Sequence, residues 1–323
     1  MAFHVMGTGS ARPEHVVTND DLSRFLDTDD AWISSRTGIS TRRCCTTETC
    51  SDLAEAAARA ALDNAGVAAS ELDLIICSTI TADDLTPSCA AVVQERIGAS
   101  CPAFDLNAAC AGFVFALDVA HGYFARGVAK RVLVVSAEKM SRMVDWTERS
   151  VSVLFGDGAG AVVLGAGGES PLYTKLTTKG SHDTLWCPNM EGNSPFDTTA
   201  KPEPYLHMRG QEVFKFAVTS ICSDVRQMCS ETGIEASDID LFVFHQANKR
   251  ILDSAVEKLD LDRDKVAYTI QESGNISSAC IPLTLDTLNH QGRLHEGDLV
   301  CCSGFGAGLV VATTLLKLSL IHI

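Results

Sequence analysis

The chain contains two long segments that match each other in sequence and in the order of their elements. Residues 65–76 resemble residues 232–243, and each copy follows an amphipathic stretch and leads into an apolar strand. The spacing of apolar residues predicts helices over 52–65 and 212–232. A repeat of about 165 residues is too long for a solenoid unit, so the pattern predicts two related α/β halves packed together.

Further pairs of segments match in the same order: 102–106 with 266–270, 131–136 with 298–303, and 158–164 with 306–312. The strands are continuous apolar runs, which is typical of sheets covered by helices on both faces. We therefore predict an N-terminal half over residues 1–166 and a C-terminal half over residues 167–323. Chance similarity between two α/β segments is the alternative.

Composition excludes several classes of protein. The chain has 323 residues and a net charge of −15, whereas a general nucleic-acid binder needs a basic face. Its first residues already resemble a strand rather than a secretion signal, and no apolar run reaches membrane-spanning length. The thirteen cysteines predict free thiols in a reducing cytoplasm. They lack the spacing of a zinc site, so we expect no metal.

Cys110 is the candidate nucleophile. It lies between small residues, after the predicted strand 102–106 and at the start of a nearly uncharged helical stretch. The positive end of a helix dipole favours thiolate over thiol, so we expect an activated thiol here. His245 and Asn275 lie downstream, and a nucleophile, an imidazole and an amide together suit acyl transfer.

Two segments rich in glycine or proline interrupt the pattern. Residues 181–205 predict a loop excursion, either functional or a plain surface insertion. The run 156–160 could be mistaken for a phosphate-binding loop, but a strand rather than a helix follows it. We therefore predict a tight structural turn beside the active site.

Six segments together resemble the β-ketoacyl-acyl-carrier-protein synthase III family of the thiolase-like superfamily: 29–39, 108–113, 155–161, 245–248, 274–275 and 304–308. The resemblance covers essentially the whole chain. It implies a five-layered α-β-α-β-α fold of two duplicated halves, usually a homodimer. The implied reaction initiates fatty acid biosynthesis by decarboxylative Claisen condensation of an acyl-CoA with malonyl-acyl carrier protein, and it needs no cofactor.

The resemblance also implies roles for individual residues. Cys110 carries the acyl group, while His245 and Asn275 donate hydrogen bonds to the enolate left by decarboxylation. The backbone N–H groups of Cys110 and Ala307 form the oxyanion hole. The apolar ring of Phe305 beside the malonyl carboxylate promotes loss of carbon dioxide.

Binding roles follow from the same resemblance. Coenzyme A contacts are expected at Trp32, Arg36, Thr37, Arg149, Gln211 and Asn248. An acidic carrier protein is expected to dock on Lys215, Lys249, Arg250 and Lys258. Thr86 takes the place of a bulky residue that closes the acyl pocket across the dimer interface, so longer or branched starters are expected to fit.

Three alternatives remain open at this stage. A condensing or acyl-transfer enzyme of specialised metabolism has the same three catalytic groups. A cysteine hydrolase also uses Cys, His and Asn in this chain order. A catalytically dead scaffold of the same fold is the third alternative.

Overall fold

The computed structural model describes residues 2–189, 195–196, 198–199 and 202–319. Its strands are β1 (Phe3–Ala11), β2 (Val16–Thr18), β3 (Thr41–Arg43), β4 (Leu74–Ser78), β5 (Ala103–Leu106), β6 (Arg131–Lys139), β7 (Asp157–Ala166), β8 (Tyr173–Thr178), β9 (Leu185–Trp186), β10 (His207–Met208), β11 (Leu241–Phe244), β12 (Leu299–Gly306) and β13 (Val310–Lys317).

The helices are α1 (Asn19–Ser23), α2 (Asp30–Thr37), α3 (Cys50–Ala65), α4 (Cys89–Ile97), α5 (Gly112–Ala125), α6 (Arg149–Ser152), α7 (Gly210–Thr232), α8 (Lys249–Leu259), α9 (Ile270–Ser273) and α10 (Cys280–His290). Two short 3₁₀ turns also matter for the site. We call Ala109–Ala111 the nucleophile turn and Ser277–Ala279 the serine turn.

The two large sheets repeat one strand order. The first runs β1-β7-β6-β4-β5 and the second runs β8-β13-β12-β11. At the fifth position of the second sheet a single parallel bridge joins Phe242 to Val266. The predicted strand over 266–270 is therefore wrong, since α9 begins at Ile270 and takes the chain away from the sheet edge.

Five layers stack across the molecule. Helices α3 and α4 pack on the outer face of the first sheet, and α7 packs on the second sheet with α8 beside it. Helices α5 and α10 form the middle layer, because α5 contacts β4, β6, β12 and β13 while α10 contacts β1, β7 and β11. This confirms the predicted five-layered α/β fold.

The repeated glycine of the two halves ends a helix in each. Helix α3 stops at Gly66 and α7 stops at Gly233, both with left-handed backbone (φ 63° and 71°). A residue without Cβ adopts this conformation at little steric cost, which explains why the repeat retains glycine here. Both predicted helices are confirmed, and each begins two residues earlier than expected.

The glycine run before Ala161 is not a turn. Gly158 and Gly160 lie inside β7, so the predicted tight turn is wrong. A Cβ on Gly160 would come within 2.4 Å of the Leu283 nitrogen, so glycine here allows α10 to pack closely against the strand. The glycine therefore marks a helix–sheet contact.

Two of the proposed sequence matches are also out of register. Leu74 pairs with Val132 and Leu241 pairs with Val300, so Val132 is equivalent to Val300 rather than to Leu299. Val132 pairs in turn with Leu164, and Val300 with Leu316. The position equivalent to Leu164 is therefore Leu316 rather than Ala312.

The segment 181–205 is not purely a loop. It contains β9, which pairs with β10 just beyond its end. Within this segment, residues 190–194, 197 and 200–201 lie outside the described residues. Leu185 of β9 and Met208 of β10 line the cavity described below.

Candidate active site

A cavity of about 640 Å³ brings the three predicted catalytic residues together. Cys110, His245 and Asn275 all line it, although they come from distant parts of the chain. Exposed side chains of Arg36 and Arg250 also line it, which places its mouth at the protein surface. The thiol therefore has a route from solvent.

Close backbone packing fixes the nucleophile turn. Ala109 has left-handed backbone (φ 45°), and α5 begins two residues after Cys110, at Gly112. A Cβ on Gly306 would lie 2.8 Å from the Cys110 nitrogen, so only glycine lets β12 approach the turn this closely. The C-terminal half thus forms one wall around the nucleophile of the N-terminal half.

The resting form of Cys110 is a thiol. Burial raises the pKa of Cys110 to about 12, a hydrogen bond with Ser277 opposes this rise, and Glu138 adds to it. The thiol Sγ–H donates to Ser277 Oγ over 3.5 Å. Desolvation disfavours the charged form and so opposes the activation that the helix start is expected to provide.

His245 directly follows β11 and is buried. Its backbone N–H donates to the Ser303 carbonyl over 2.8 Å, which fixes the residue against β12. Burial lowers the pKa of His245 to about 3, so the imidazole is neutral. Nδ1 is buried without a hydrogen-bond partner in the described structure. A buried N–H without a hydrogen-bond partner costs more than a buried ring nitrogen that carries no proton. The proton of the neutral ring is therefore expected on Nε2 rather than on Nδ1.

Asn275 is oriented through its side-chain oxygen. Its Oδ1 accepts a hydrogen bond from the Ser277 backbone N–H over 2.9 Å. Its own backbone N–H donates to the Leu154 carbonyl over 2.8 Å, and its carbonyl accepts from Gly156 N–H over 3.1 Å. These contacts leave the amide NH₂ available to the cavity.

Phe305 and Ala307 line the same cavity. The Phe305 ring meets the His245 imidazole edge to face, with centroids 5.1 Å apart. Ala307 lies in the connection between β12 and β13 and is half-buried. Both residues thus share the cavity with Cys110, His245 and Asn275.

Trp32 lies at the cavity mouth between guanidinium groups. The Cζ atoms of Arg36 and Arg149 are 4.8 and 4.9 Å from the ring centroid. Arg149 does not itself line the cavity, and its guanidinium donates to the backbone carbonyl and the carboxylate of Asp27. An aromatic ring flanked by guanidinium groups can stack against a planar ligand.

The other expected coenzyme A residues differ in whether their polar side-chain groups already form hydrogen bonds within the protein. Gln211 is exposed and lines the cavity. The buried Thr37 hydroxyl donates to the Ile33 carbonyl over 2.7 Å, so Thr37 acts mainly as cavity wall. Asn248 caps α8 through Arg250 N–H and donates to the Arg36 carbonyl over 3.1 Å.

The four expected docking cations do not form one surface. Arg250 is exposed at the mouth over the Phe214 ring, and Lys215 is exposed on α7 next to Phe214. Lys249 is half-buried and paired with Asp253 at 2.7 Å. Lys258 lines a separate shallow cavity at the far end of α8.

Thr86 is exposed and does not line the cavity of its own chain. Its neighbour Leu85 is 89% exposed. A role in the acyl pocket therefore requires a second copy of the chain.

Sequence reasoning missed the buried polar residues behind the site. Glu138 and Ser277 have no exposed surface, and Gln246 accepts hydrogen bonds from the Thr269 and Ile270 N–H groups. A charged residue at the end of the apolar run 131–137 was the available signal for Glu138. Nothing in the sequence distinguishes Ser277 from an ordinary turn serine.

Comparison with known proteins decides the family. The family model for 3-oxoacyl-[acyl-carrier-protein] synthase III matches residues 104–180, and the model for its C-terminal part matches residues 229–318. The β-ketoacyl-[acyl-carrier-protein] synthase III of Clostridium acetobutylicum is 44% identical over 320 residues, 98% of each chain. The chain belongs to the 3-oxoacyl-[acyl-carrier-protein] synthase III family. It is therefore an acyl-transferring condensing enzyme.

Solved structures agree with this family. The synthase III of Aquifex aeolicus has a TM-score of 0.91 at 40% identity, over 98% of this chain and 100% of that one. The priming β-ketosynthase of the R1128 polyketide pathway has a TM-score of 0.91 at 36% identity, over 98% of this chain and 96% of that one.

Among the described residues, no cluster of three His, Cys, Asp or Glu side chains could hold a metal. Within that same part of the chain, no helix is long and apolar enough to cross a membrane.

Proposed function

We propose that this enzyme condenses an acyl-CoA starter with malonyl-acyl carrier protein and so forms the first 3-oxoacyl-acyl carrier protein of fatty acid biosynthesis. The observation that carries this proposal is the meeting of Cys110, His245 and Asn275 in one cavity that opens at Trp32 and Arg36. Membership of the synthase III family argues against the alternative that the protein is a cysteine hydrolase. The reaction uses only side chains and backbone donors and is proposed to need no cofactor.

The first half-reaction is a thioester exchange. The Cys110 sulfur attacks the acyl carbonyl, the bond to the coenzyme A sulfur breaks, and the thiol proton passes to the departing coenzyme A. The backbone N–H groups of Cys110 and Ala307 are the proposed donors to the oxyanion. Proton transfer has to accompany attack, because burial raises the pKa of Cys110 to about 12.

The second half-reaction forms the carbon–carbon bond. Malonyl thioester loses carbon dioxide, and its carbonyl oxygen becomes an enolate that accepts hydrogen bonds from His245 Nε2–H and the Asn275 amide. The enolate carbon attacks the acyl carbonyl on Cys110. The tetrahedral intermediate collapses, the Cys110 sulfur leaves and is reprotonated, and the 3-oxoacyl product stays on the carrier.

Phe305 has a proposed supporting role in decarboxylation. Its ring contacts the His245 imidazole edge to face inside the cavity. An apolar face at this place disfavours a carboxylate more than neutral carbon dioxide.

Binding of coenzyme A is proposed at the mouth. An adenine can stack on the Trp32 ring with Arg36 or Arg149, both of which lie within 5 Å of its centroid. Gln211 and Asn248 flank the path of the pantetheine arm, and Thr37 forms its wall. For the carrier protein we propose docking around Arg250 and Lys215 near the cavity mouth, without Lys249 and Lys258.

Assembly and location are part of the same proposal. We propose a homodimer in which Leu85 and Thr86 enter the partner's interface, because Leu85 is 89% exposed on one chain. We propose a cytoplasmic location, which the thirteen free cysteines favour. Starters longer or more branched than acetyl are proposed to fit the acyl pocket.

A priming enzyme of specialised metabolism is the second candidate. The R1128 priming β-ketosynthase is 36% identical to this chain with a TM-score of 0.91. The fold of this chain is therefore compatible with either candidate function. The two candidates differ in the acyl donor and the carrier rather than in the catalytic residues.

A mass-shift assay tests the proposal. The enzyme is incubated with acetyl-, isobutyryl- or octanoyl-CoA, the acyl adduct on Cys110 is measured, and malonyl-carrier is then added. We expect an adduct that disappears with formation of 3-oxoacyl product and is absent in Cys110→Ala. Adduct formation at another residue, or hydrolysis in place of extension, contradicts the proposal. A strict preference for acetyl contradicts the proposed starter class, and transfer only to a specialised carrier favours the second candidate.

A further inference from the structure

A buried carboxyl group lies behind the nucleophile and takes no part in the steps above. Glu138 is on β6 and has no exposed surface. No salt bridge to its carboxyl occurs among the described residues. The neighbouring Lys139 extends elsewhere, and its Nζ donates to the Glu48 carbonyl over 2.8 Å. Burying an unpaired carboxylate is costly, so the group requires a local explanation.

The two oxygens of Glu138 have different surroundings. Oε2 accepts from the Thr81 hydroxyl (2.6 Å), the Ile80 N–H (3.1 Å) and the Thr79 hydroxyl (3.3 Å). Oε1 lies 2.8 Å from the Ser278 hydroxyl. Burial raises the pKa of the carboxyl, and a hydrogen bond with the Ser277 side chain also acts on it in the opposite direction, lowering the pKa. This division suits a carboxylic acid, in which one oxygen accepts several hydrogen bonds and the other carries the proton.

The single hydroxyl hydrogen of Ser278 also indicates that Glu138 is protonated. The Ser278 oxygen lies 2.8 Å from Glu138 Oε1 and 3.1 Å from the Ser78 carbonyl, but its hydroxyl has a single hydrogen. If Glu138 Oε1–H donates to Ser278, then Ser278 can donate to Ser78. A proton on Glu138 therefore makes both contacts hydrogen bonds.

The contact with Ser278 anchors the serine turn next to the active site. Ser277 has left-handed backbone (φ 48°), which needs support from its surroundings. Its N–H holds Asn275 Oδ1 over 2.9 Å, and its hydroxyl accepts from the Cys110 thiol over 3.5 Å. Whatever fixes this turn thus fixes both the amide and the resting nucleophile.

We propose that Glu138, as a neutral carboxylic acid, is a positioning residue that locks the serine turn and through it Asn275 and Cys110. The inference rests on the proposed function of these two residues. Neutrality matters as well as shape, because an anion at this place works against thiolate formation on Cys110.

The other titratable groups around Glu138 do not supply a cation. They are the thiols of Cys50 on α3, Cys77 on β4, Cys110 on the nucleophile turn and Cys280 on α10. Burial raises the pKa of Cys110 and Cys280, and the pKa of Cys50 is also raised. Burial likewise raises the pKa of Glu138, in agreement with the hydrogen-bond geometry.

Three variants separate the possible roles of Glu138. E138Q keeps the acceptor for Thr81 and provides an N–H for Ser278, E138A removes both, and E296Q makes the same chemical change on an exposed residue. We expect E138A to lower the condensation rate at least tenfold, with E138Q restoring it to within about threefold of the wild type. E296Q should leave it unchanged. If E138A does not fold, S278A removes the 2.8 Å partner of Oε1 and should lower the rate at least threefold.

Two readouts do not depend on the condensation activity. In the alkylation of Cys110 by iodoacetamide as a function of pH, E138Q should titrate at the same pH as the wild type or lower. The infrared difference between wild type and E138Q at neutral pH should contain a carboxylic-acid C=O band. Carboxylate bands instead, a hundredfold loss of alkylation in E138Q, or unchanged condensation in E138A or S278A overturns the proposal. Absence of condensation in the wild type itself, with alkylation and infrared results as expected, would instead count against the proposed function.

Discussion

The Asn275 amide is held through one of its two polar atoms. Oδ1 accepts from Ser277 N–H at 2.9 Å, and Cys280 Sγ lies 4.0 Å from the same oxygen. No hydrogen bond of Nδ2 occurs among the described residues, so the donor side of the amide is directed to the cavity that Asn275 lines. This orientation leaves the amide NH₂ free to donate to an enolate oxygen in the cavity.

Asn275→Ala should therefore separate the two half-reactions. Loss of one donor to a developing oxyanion typically lowers the rate about 10²- to 10³-fold, so we expect condensation to fall by this amount. Acylation of Cys110 should change less than threefold, because its oxyanion donors are backbone groups. Rapid-quench mass spectrometry measures both steps on one sample. An equal loss in both steps would contradict the assignment and indicate a collapsed site.

The neutral state of His245 predicts a pH dependence of stability. Burial lowers the pKa of His245 to about 3, whereas a histidine in an unfolded chain titrates near about 6.5. Between these values the unfolded chain binds a proton that the native protein does not. The free energy of unfolding therefore falls as the pH falls through this window.

His245→Gln should remove this part of the pH dependence. Between pH 7 and pH 5 the wild type should lose about 2 kcal/mol more stability than the variant. Urea unfolding at the two pH values measures the difference, and His15→Gln at an exposed position is the control. If the variant and the wild type lose equal stability, His245 is not buried as a neutral ring.

At this scale the sequence predicted which residues meet but not how they are held. Cys110, His245 and Asn275 were identified from their neighbours in the chain, and all three line one cavity. The commitment of the Thr37 hydroxyl to Ile33, and of Lys249 to Asp253, depends on packing between distant segments. Such partners carry no local signal, whereas the buried Glu138 had one, a charged residue at the end of an apolar run, that was overlooked.

Two equivalent 3₁₀ turns position the reactive groups at the scale of secondary structure. The nucleophile turn precedes α5 and the serine turn precedes α10, the two helices of the middle layer. Each contains a left-handed residue that is not glycine, Ala109 (φ 45°) and Ser277 (φ 48°). Backbone of this kind costs about 1–3 kcal/mol and persists only where the surroundings fix it. Neither residue type signals a left-handed backbone, so sequence reasoning could not find these turns.

Gly306→Ala tests the contact between β12 and the nucleophile turn. The added Cβ would lie 2.8 Å from the Cys110 nitrogen and 3.1 Å from its Cβ. The strand or the turn has to move, so we expect a loss of about 1–3 kcal/mol in stability. Acylation of Cys110 should fall at least tenfold because the oxyanion donors separate. Thermal unfolding and the acylation rate measure the two effects.

Gly122→Ala, in the helix that follows the nucleophile turn, is the matched control. Gly122 lies in α5, and a Cβ there meets nothing within 4 Å. Alanine in a helix interior should stabilise the protein by about 0.5–1 kcal/mol, with unchanged acylation. If the two glycine variants behave alike, close approach of β12 is not what fixes the nucleophile.

At the scale of the whole molecule the active site lies where the two halves join. Cys110 comes from the first half, and His245 and Asn275 come from the second. The duplication was visible in sequence because each half needs the same helix ends and apolar strands. The correspondence of β7 to β13 and the missing strand at 266–270 were not visible, since the first depends on strand pairing and the second on where α9 begins. The boundary near residue 166 remains our proposal.

Leu85 and Thr86 give a prediction that only the assembled protein can test. Leu85 is 89% exposed, and Thr86 is exposed and outside the cavity of its own chain. If a second copy places Thr86 at the end of the partner's acyl pocket, Thr86→Phe should shorten that pocket. Octanoyl transfer to Cys110 should then fall at least tenfold relative to acetyl transfer, measured by intact mass.

Oligomeric state provides the control for this effect. Leu85→Asp places a charge on an apolar contact and should shift the protein toward monomer in sedimentation velocity. In that monomeric background Thr86→Phe should no longer alter the ratio of octanoyl to acetyl transfer, because the side chain cannot reach its own cavity. Thr219→Phe, at another exposed threonine, should leave the ratio unchanged in the dimer. A selectivity change that persists in the monomer would place Thr86 in its own chain's site and contradict the shared pocket.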